Sequence, residues 1–331
     1  MSMLARSVYQ RKVKWMSDLS FFLAGNDVHK GLHKYCAILA KIGVKPKQEN
    51  YSSMNDVSDA NKNNAAGSLL IIGGHEDKIG ECLILRRFID MAGGRNSRIV
   101  VVATATDQPR IVGNEYRDLF SSLGAATVTI MAVNDRETAN QREQAEAIKQ
   151  ATGIFFTGGD QLRITSILGG SAVDAAIRAA FSQGAVIAGT SAGAAVMSET
   201  MIVAGNSNDT PKKSSLIMAQ GMGYLSEGVV DQHFAQRGRI NRLLEAVAQN
   251  PHVLGIGIDE DTALIVTPDR ICEVIGSQTV TIIDGKDIIY SNISESNRYQ
   301  PLAISNVLLH ILPDGFGFNL NSRLPMQLGA N

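Results

Sequence analysis

The segment Gly189-Thr190-Ser191-Ala192-Gly193 has the form G-x-S-x-G and lies between a strand-like apolar run and a run of small helix-forming residues. In that context the two glycines allow a sharp turn that presents the Ser191 hydroxyl at a helix N-terminus. The N–H of Ala192 would be one donor to an oxyanion, and a second would come from Gly159 and Asp160. The pattern predicts a serine nucleophile. The alternative is a small-residue turn that packs a helix on a strand or binds an anion.

A reactive serine needs a base and a group that orients the base. The histidine that we favour is His233, and the strand-like run at 254–258 ends in Asp259-Glu260-Asp261. A carboxylate there would hold one tautomer of His233, but spacing leaves the choice among the three open. The chain order Ser191, Asp259, His310 would match an α/β-hydrolase. We favour it less, because His310 lies in an apolar run.

Three arginines follow His233: Arg237, Arg239 and Arg242. Guanidinium groups bind carboxylates in bidentate geometry, although a cluster of this kind is also common on the solvated first turn of a helix. Asp231 and Gln232, just before His233, offer an anion and an amide that would receive a guanidinium. Together these groups suit a substrate that carries both a carboxylate and a guanidinium.

The elements that position these groups alternate between strand and helix. Short apolar runs predict strands that are buried on both faces of a parallel sheet, and helix-like segments separate them. We therefore expect an α/β fold, a mostly parallel sheet flanked by helices, with functional groups after the carboxyl ends of its strands. The predicted strands lie at 69–72, 99–104, 126–131, 153–156 and 185–188, and the predicted helices at 79–91, 114–123, 138–149 and 171–182.

The pattern is less regular after Glu199. It predicts a helix at 238–249, a strand at 253–258 and small antiparallel strands over 262–290. At the other end, residues 1–66 form an N-terminal extension that ends in a polar linker, and its role is unknown. We expect residues 67–331 to form one α/β hydrolytic domain.

Composition excludes several classes of protein. The chain has 331 residues, of which 44% are hydrophobic and 19% charged, so wholesale disorder is excluded. Its net charge of −1 argues against a nucleic-acid partner. The three cysteines cannot form a disulfide framework or a zinc ribbon, and without an H-E-x-x-H or C-x-x-C motif we expect neither a metal nor another cofactor. With no signal-peptide or membrane-spanning pattern, we expect a cytoplasmic protein that has no membrane partner.

Five motifs, taken in chain order, resemble those of the cyanophycinases. These enzymes are serine peptidases related to aspartyl dipeptidase, and their fold is like that of the class I glutamine amidotransferases (flavodoxin-like). The resemblance spans about 68–318. His75 departs from the first motif, where a small residue is expected. The motifs are Gly73-Gly74-x-Glu76-Asp77-Lys78, Phe156-Thr157-Gly158-Gly159-Asp160-Gln161, Gly189-Thr190-Ser191-Ala192-Gly193-Ala194, Asp231-Gln232-His233-Phe234 with the three arginines, and Gly257-Ile258-Asp259-Glu260-Asp261-Thr262-Ala263-Leu264.

The resemblance implies hydrolysis of cyanophycin, a poly-aspartate that carries arginine on each β-carboxyl, to β-aspartyl-arginine dipeptides through an acyl-enzyme. It implies that Ser191 is the nucleophile, His233 the general base and Glu260 its orienting group. We also expect a homodimer. The alternatives are an α-aspartyl dipeptidase on the same scaffold and a non-catalytic anion-binding protein. The implied substrate-binding residues are Gln161, Asp231, Gln232, Arg237, Arg239 and Arg242.

Overall fold

A large mixed sheet forms the centre of the described structure. The structure of the protein is a computed structural model that describes residues 67–205, 207 and 210–328, so the extension expected over 1–66 lies outside the described residues. Five neighbouring strands of the sheet are parallel, and the four at the other side are antiparallel. In spatial order the strands are β17 (Leu324–Gln327), β16 (Phe316–Asn319), β11 (Ile271–Gly276), β10 (Thr262–Val266), β1 (Leu69–Ile72), β5 (Val186–Thr190), β4 (Gly153–Phe156), β2 (Arg98–Val102) and β3 (Thr127–Met131).

A second sheet of four strands supplies the other half of the site described below. Two of its neighbouring strands run parallel to each other, and the remaining pairings are antiparallel. Its strands, in spatial order, are β15 (Leu308–Pro313), β12 (Thr279–Asp284), β9 (Leu254–Ile258) and β8 (Gly228–Gln232). Two short pairs complete the strands: β6 (Thr200–Gly205) with β7 (Leu216–Gln220), and β13 (Tyr290–Ser291) with β14 (Ile304–Ser305).

The central strands are buried on both faces, as their continuous apolar runs predict. In β1, Leu69 and Ile71 pack in one hydrophobic cluster, whereas Leu70 and Ile72 pack in another on the opposite face. The α/β fold with a parallel sheet, flanking helices and antiparallel C-terminal strands is therefore confirmed. The helices are α1 (Leu83–Met91), α2 (Pro109–Ser122), α3 (Arg136–Ala139), α4 (Arg142–Ile148), α5 (Gln161–Leu168), α6 (Ala172–Ser182), α7 (Ala192–Ala195) and α8 (Ile240–Gln249).

Several boundaries differ from the sequence predictions. Helix α1 begins at Leu83, not at 79, because the Asp77 carboxylate accepts hydrogen bonds from the backbone N–H groups of Ile79, Gly80 and Cys82 and holds this segment as a loop. These bonds lower the pKa of Asp77 to about 2. The segment predicted as one helix over 138–149 forms the two short helices α3 and α4, and helix α5 was not predicted.

Helix length bears on membrane insertion. Among the described residues, no single helix is both long and apolar enough to cross a membrane. Helices α5 and α6 satisfy the length and composition criteria only when they are taken together, and they are bent by 98° relative to each other.

Candidate active site

Ser191 occupies a strained turn between β5 and the four-residue helix α7. Its backbone has φ 54° and ψ −108°, a conformation that a non-glycine residue rarely adopts. The flanking glycines are required by close packing: a Cβ on Gly189 would lie 2.4 Å from the Gly193 carbonyl oxygen, and one on Gly193 would lie 2.4 Å from the Phe156 carbonyl oxygen. The strand–turn–helix context expected for G-x-S-x-G is present, although the helix is only one turn long.

Parallel strand pairing brings the other motifs to the same place. β1 and β5 are in parallel register, with Ile72 opposite Thr190, so Gly73 and Gly74 emerge beside Ser191. In the second sheet β8 and β9 are also parallel, with Gln232 opposite Ile258. The residues that follow these two strands therefore emerge side by side, and the site lies where the carboxyl ends of both sheets meet.

A continuous chain of hydrogen bonds links Ser191, His233 and Glu260. Ser191 Oγ lies 2.8 Å from His233 Nε2, and His233 Nδ1 lies 2.7 Å from Glu260 Oε1. With a proton on Nδ1, the ring donates to the carboxylate and its Nε2 accepts from the serine hydroxyl. This order of hydroxyl, imidazole and carboxylate is the one that a nucleophile, a general base and an orienting acid require.

The structure distinguishes among the three consecutive carboxylates that spacing left open. Asp259 Oδ1 accepts from the Ala235 N–H and Oδ2 from Thr279, so this side chain joins backbone segments. Asp261 Oδ1 accepts from the Asp77 N–H at 2.9 Å. Glu260 is the member whose carboxylate contacts His233.

The surroundings of His233 favour its neutral form. Its side chain is 4% exposed, and burial is the largest influence that lowers its pKa below the ordinary value. The hydrogen bond to Glu260 opposes this effect, while the positive charge of Arg237 adds to it. A base with a lowered pKa is unprotonated at neutral pH, as proton abstraction from serine requires.

The predicted oxyanion donors behave differently from one another. Ala192 begins α7, and the first N–H groups of a helix have no intrahelical acceptor, so its N–H suits this role. The Asp160 N–H already donates to the Ala105 carbonyl oxygen at 2.9 Å, and the Asp160 side chain caps α5. Asp160 is therefore unsuited to the role. A Cβ on Gly158 would lie 3.5 Å from Ser191 Cβ, which places the Gly158–Gly159 backbone beside the serine.

A cavity of about 370 Å³ opens beside Ser191. Six residues were expected to bind substrate, and all six lie in the part of the chain that the structure describes. Of these six, only Arg237, which is exposed, lines this cavity. Positive and negative side chains both face this cavity. Its lining residues are His75, Glu76, Lys78, Val112, Glu115, Tyr116, Gly158, Thr190, Ser191, His233 and Arg237.

The expectation for Asp231, Arg239 and Arg242 is corrected by their burial. Asp231 is fully buried, and its carboxylate accepts hydrogen bonds from both arginines, including one from Arg242 Nε at 2.6 Å. No oxygen of Asp231 faces solvent, so it does not receive a substrate guanidinium in this arrangement. Burial lowers the pKa of Arg239 to about 10, against the effect of Asp231. The three side chains form an internal ion-pair cluster below the site.

The two predicted glutamines also have internal partners. The Gln161 amide nitrogen donates to the carbonyl oxygens of Ile202 and Val203, at 3.1 and 3.3 Å, and so ties α5 to β6. Gln232 Oε1 accepts from Arg239 Nη1 at 2.9 Å. Both therefore hold neighbouring elements in place in this structure.

Sequence reasoning missed a buried network behind the serine. Glu76 is 4% exposed, and its two oxygens accept hydrogen bonds from the hydroxyls of Tyr116, at 2.5 Å, and Thr190, at 2.6 Å. Burial and the charge of Glu76 raise the pKa of Tyr116, so its hydroxyl stays protonated and donates. Because Thr190 precedes Ser191, this network holds the end of β5. Tyr116 lies in mid-helix, where no local pattern distinguishes it.

The chain is similar in sequence to a known peptidase family and to several cyanophycinases. The profile of Peptidase family S51 matches residues 69–274. The chain is 42% identical over 260 residues to a cyanophycinase of Geminocystis herdmanii (strain PCC 6308), and this alignment covers 78% of this chain and 96% of the relative. It is 40% identical over 257 residues to a cyanophycinase of Synechococcus elongatus, and this alignment covers 77% of this chain and 80% of the relative.

A solved structure supports the same fold. The crystal structure of a peptidase from an acI-B1 Actinobacterium aligns with a TM-score of 0.60 at 21% identity, covering 78% of this chain and 98% of that chain. Identity this low indicates a shared fold and nothing about substrate. The family assignment rests on the sequence match, which covers most of the described residues. The chain belongs to peptidase family S51.

Proposed function

We propose that this protein hydrolyses cyanophycin to β-aspartyl-arginine dipeptides, with Ser191 as nucleophile, His233 as general base and Glu260 as the group that orients the base. The observation that carries the proposal is the 2.8 Å contact between Ser191 Oγ and His233 Nε2, continued by the 2.7 Å contact between His233 Nδ1 and Glu260. The similarity to cyanophycinases over more than three quarters of the chain supports the choice of substrate.

The proposed reaction is acyl transfer. Ser191 Oγ attacks the main-chain carbonyl carbon of an aspartyl residue, while His233 Nε2 takes the hydroxyl proton. The N–H groups of Ala192 and Gly159 donate to the oxyanion. His233 then gives its proton to the leaving amine, and the C–N bond breaks. Water attacks the resulting ester with His233 again acting as base, which releases the product acid and restores the Ser191 hydroxyl.

The cavity charges match this substrate. Each repeat of cyanophycin carries a carboxylate and a guanidinium on its arginyl branch. Arg237 and Lys78 line the cavity as cations for the carboxylate, and Glu115 lines it as an anion for the guanidinium. Guanidinium–carboxylate pairs of this kind form directional, charge-assisted hydrogen bonds. We assign substrate contact to these exposed side chains in place of the buried Asp231.

The test is incubation of the full chain with insoluble cyanophycin, with released dipeptide quantified by mass spectrometry. We expect β-aspartyl-arginine from the unaltered protein. Ser191→Ala should lower the rate by about 10⁴-fold or more, whereas Ser182→Ala, an exposed serine on α6, should leave it unchanged. Faster cleavage of α-aspartyl dipeptides than of the polymer would favour an aspartyl dipeptidase. Failure of a serine-directed phosphonate to label Ser191 would favour a binding protein.

A further inference from the structure

Two imidazole rings face one carboxylate at the edge of the site. His75 Nδ1 lies 3.1 Å from Glu260 Oε2, and His233 Nδ1 lies 2.7 Å from Glu260 Oε1. The possible ligand atoms of the three residues all lie within 4.8 Å of one another. The rings meet edge to face, with centroids 5.2 Å apart. Both Nδ1 atoms contact the same carboxylate and therefore face the same small volume. Hydrolysis as proposed above uses only one of these histidines.

This donor set matches the preferences of a zinc ion. Two imidazole nitrogens and one carboxylate form a common zinc site with a fourth, open position. Tetrahedral ligands about 2.0–2.1 Å from Zn²⁺ lie about 3.3 Å apart. The two measured contacts between imidazole nitrogens and carboxylate oxygens, 3.1 and 2.7 Å, are already close to that spacing, so small movements of the side chains would bring the three groups around one ion. We propose that His75, Glu260 and His233 form an inhibitory binding site for Zn²⁺.

Zinc at this site would disable the base. In the resting state His233 carries its proton on Nδ1 and leaves Nε2 free to accept the Ser191 proton. Coordination requires the Nδ1 lone pair, so that nitrogen loses its proton to solvent and Nε2 takes one up. The Zn–Nδ1 bond forms, the Nδ1–H bond is replaced by an Nε2–H bond, and the net charge of the ring is unchanged. The ring can then no longer take the serine proton. This inference rests on the proposed role of His233.

Access to the site comes from the His75 side. The His75 side chain is 72% exposed, whereas that of His233 is 4% exposed, so an ion arriving from solvent would meet His75 and Glu260 first. The positive charge of Arg237, which lines the same cavity, opposes a bound cation. Arg237→Gln should therefore strengthen zinc binding, which distinguishes this site from zinc sites elsewhere on the surface.

The direct experiment is calorimetric titration of the full chain, carrying Ser191→Ala, with ZnCl₂. Adding His75→Ala or His75→Gln should weaken the site at least about tenfold, because loss of even an outer partner of a zinc ligand costs about 10–100-fold in affinity. His252→Ala is the matched control, since His252 is exposed and lines a different cavity. Circular dichroism verifies that each variant is folded. Equal affinity in the His75 and His252 variants would overturn the proposal.

The kinetic experiment measures dipeptide release over a chelator-buffered range of free Zn²⁺, with each variant normalised to its own zinc-free rate. The His75 variants should need at least about tenfold more zinc for half-inhibition than the unaltered protein or the His252→Ala variant. Equal sensitivity of all proteins would refute the inhibitory role. If no substrate were hydrolysed, the proposed function would fail, but the calorimetric titration would still decide whether the site binds zinc.

Discussion

The backbone N–H of His233 donates to the carbonyl oxygen of Gly73 at 2.8 Å. This bond joins the residue that follows β8 in the smaller sheet to the residue that follows β1 in the larger sheet. It fixes the position of the His233 backbone, and so of its ring, relative to the turn at Ser191, which lies beside β1. His233 itself has φ 49°, so its backbone, like that of Ser191, has the positive φ that a non-glycine residue rarely adopts.

Gly74, the residue after Gly73, allows a test of the packing around the proposed base, His233. A Cβ on Gly74 would lie 2.3 Å from His233 Cε1 and 2.6 Å from Nε2. Gly74→Ala should therefore push the ring away from Ser191. Because small misplacements of a catalytic group cost about 10²-fold, kcat should fall by about that factor. Dipeptide release measures the effect.

Gly124→Ala is the matched control for this substitution. Gly124 has φ +98° and Gly74 has φ +100°, so both variants introduce similar backbone strain. A Cβ on Gly124, however, would meet nothing within 4 Å. We expect Gly124→Ala to lose stability with little change in kcat. A Gly74→Ala enzyme as active as the Gly124→Ala enzyme would contradict the steric argument.

Glu260→Gln tests the proposed role of Glu260 as the group that orients His233. The amide keeps the shape of the side chain but lacks the charge that stabilises the imidazolium formed during reaction. We expect kcat to fall by about 10²–10⁴-fold, with KM nearly unchanged. Asp261→Asn serves for comparison, since Asp261 bonds the Asp77 backbone. If Asp261→Asn caused the larger loss in kcat, the acid would be misassigned.

Arg237 should shift the acid limb of the pH profile. His233 must be neutral to act as a base, so kcat/KM should rise with pH through the pKa of His233, which burial and Arg237 lower. Arg237→Gln removes a cation that disfavours the imidazolium, so the pKa should rise and the acid limb should move to higher pH. Arg142→Gln, at an arginine whose side chain is 93% exposed, is the control. An acid limb that stayed in place in Arg237→Gln would exclude this electrostatic effect.

Asp231→Asn tests the internal ion-pair cluster. It leaves the buried guanidinium groups of Arg239 and Arg242 without their anion. Breaking a buried pair in this way costs about 3–5 kcal/mol, and urea unfolding should show a loss of free energy of that size. Asp118→Asn removes the carboxylate of an exposed pair with Arg117 and should cost less than about 1 kcal/mol. Similar losses of unfolding free energy in the two variants would contradict the role of Asp231 as the buried anion that stabilises both arginines.

Local sequence determined the parallel strands of the large sheet and the motifs that follow them, whereas β16 and β17 at its antiparallel side were not predicted. The apolar runs at 69–72 and 153–156 coincide with β1 and β4, because a continuous buried run has few alternatives to a central strand. The G-x-S-x-G pattern predicted the turn at Ser191, because its glycines are needed where backbone segments approach closely. The predicted start of α1 was wrong, because the Asp77 carboxylate binds backbone N–H groups in the segment before the helix and holds that segment as a loop.

Tertiary structure alone decided which charged groups face the cavity and which are internal. In sequence, Asp231 and Arg237 are both charged residues near His233, but Asp231 lies in a strand buried by its neighbours and Arg237 lies in the exposed turn that follows. Likewise, spacing could not choose Glu260 over Asp259 and Asp261, since the choice depends on which way each carboxylate points after β9. Burial and direction are properties of packed elements, so composition and spacing do not encode them locally.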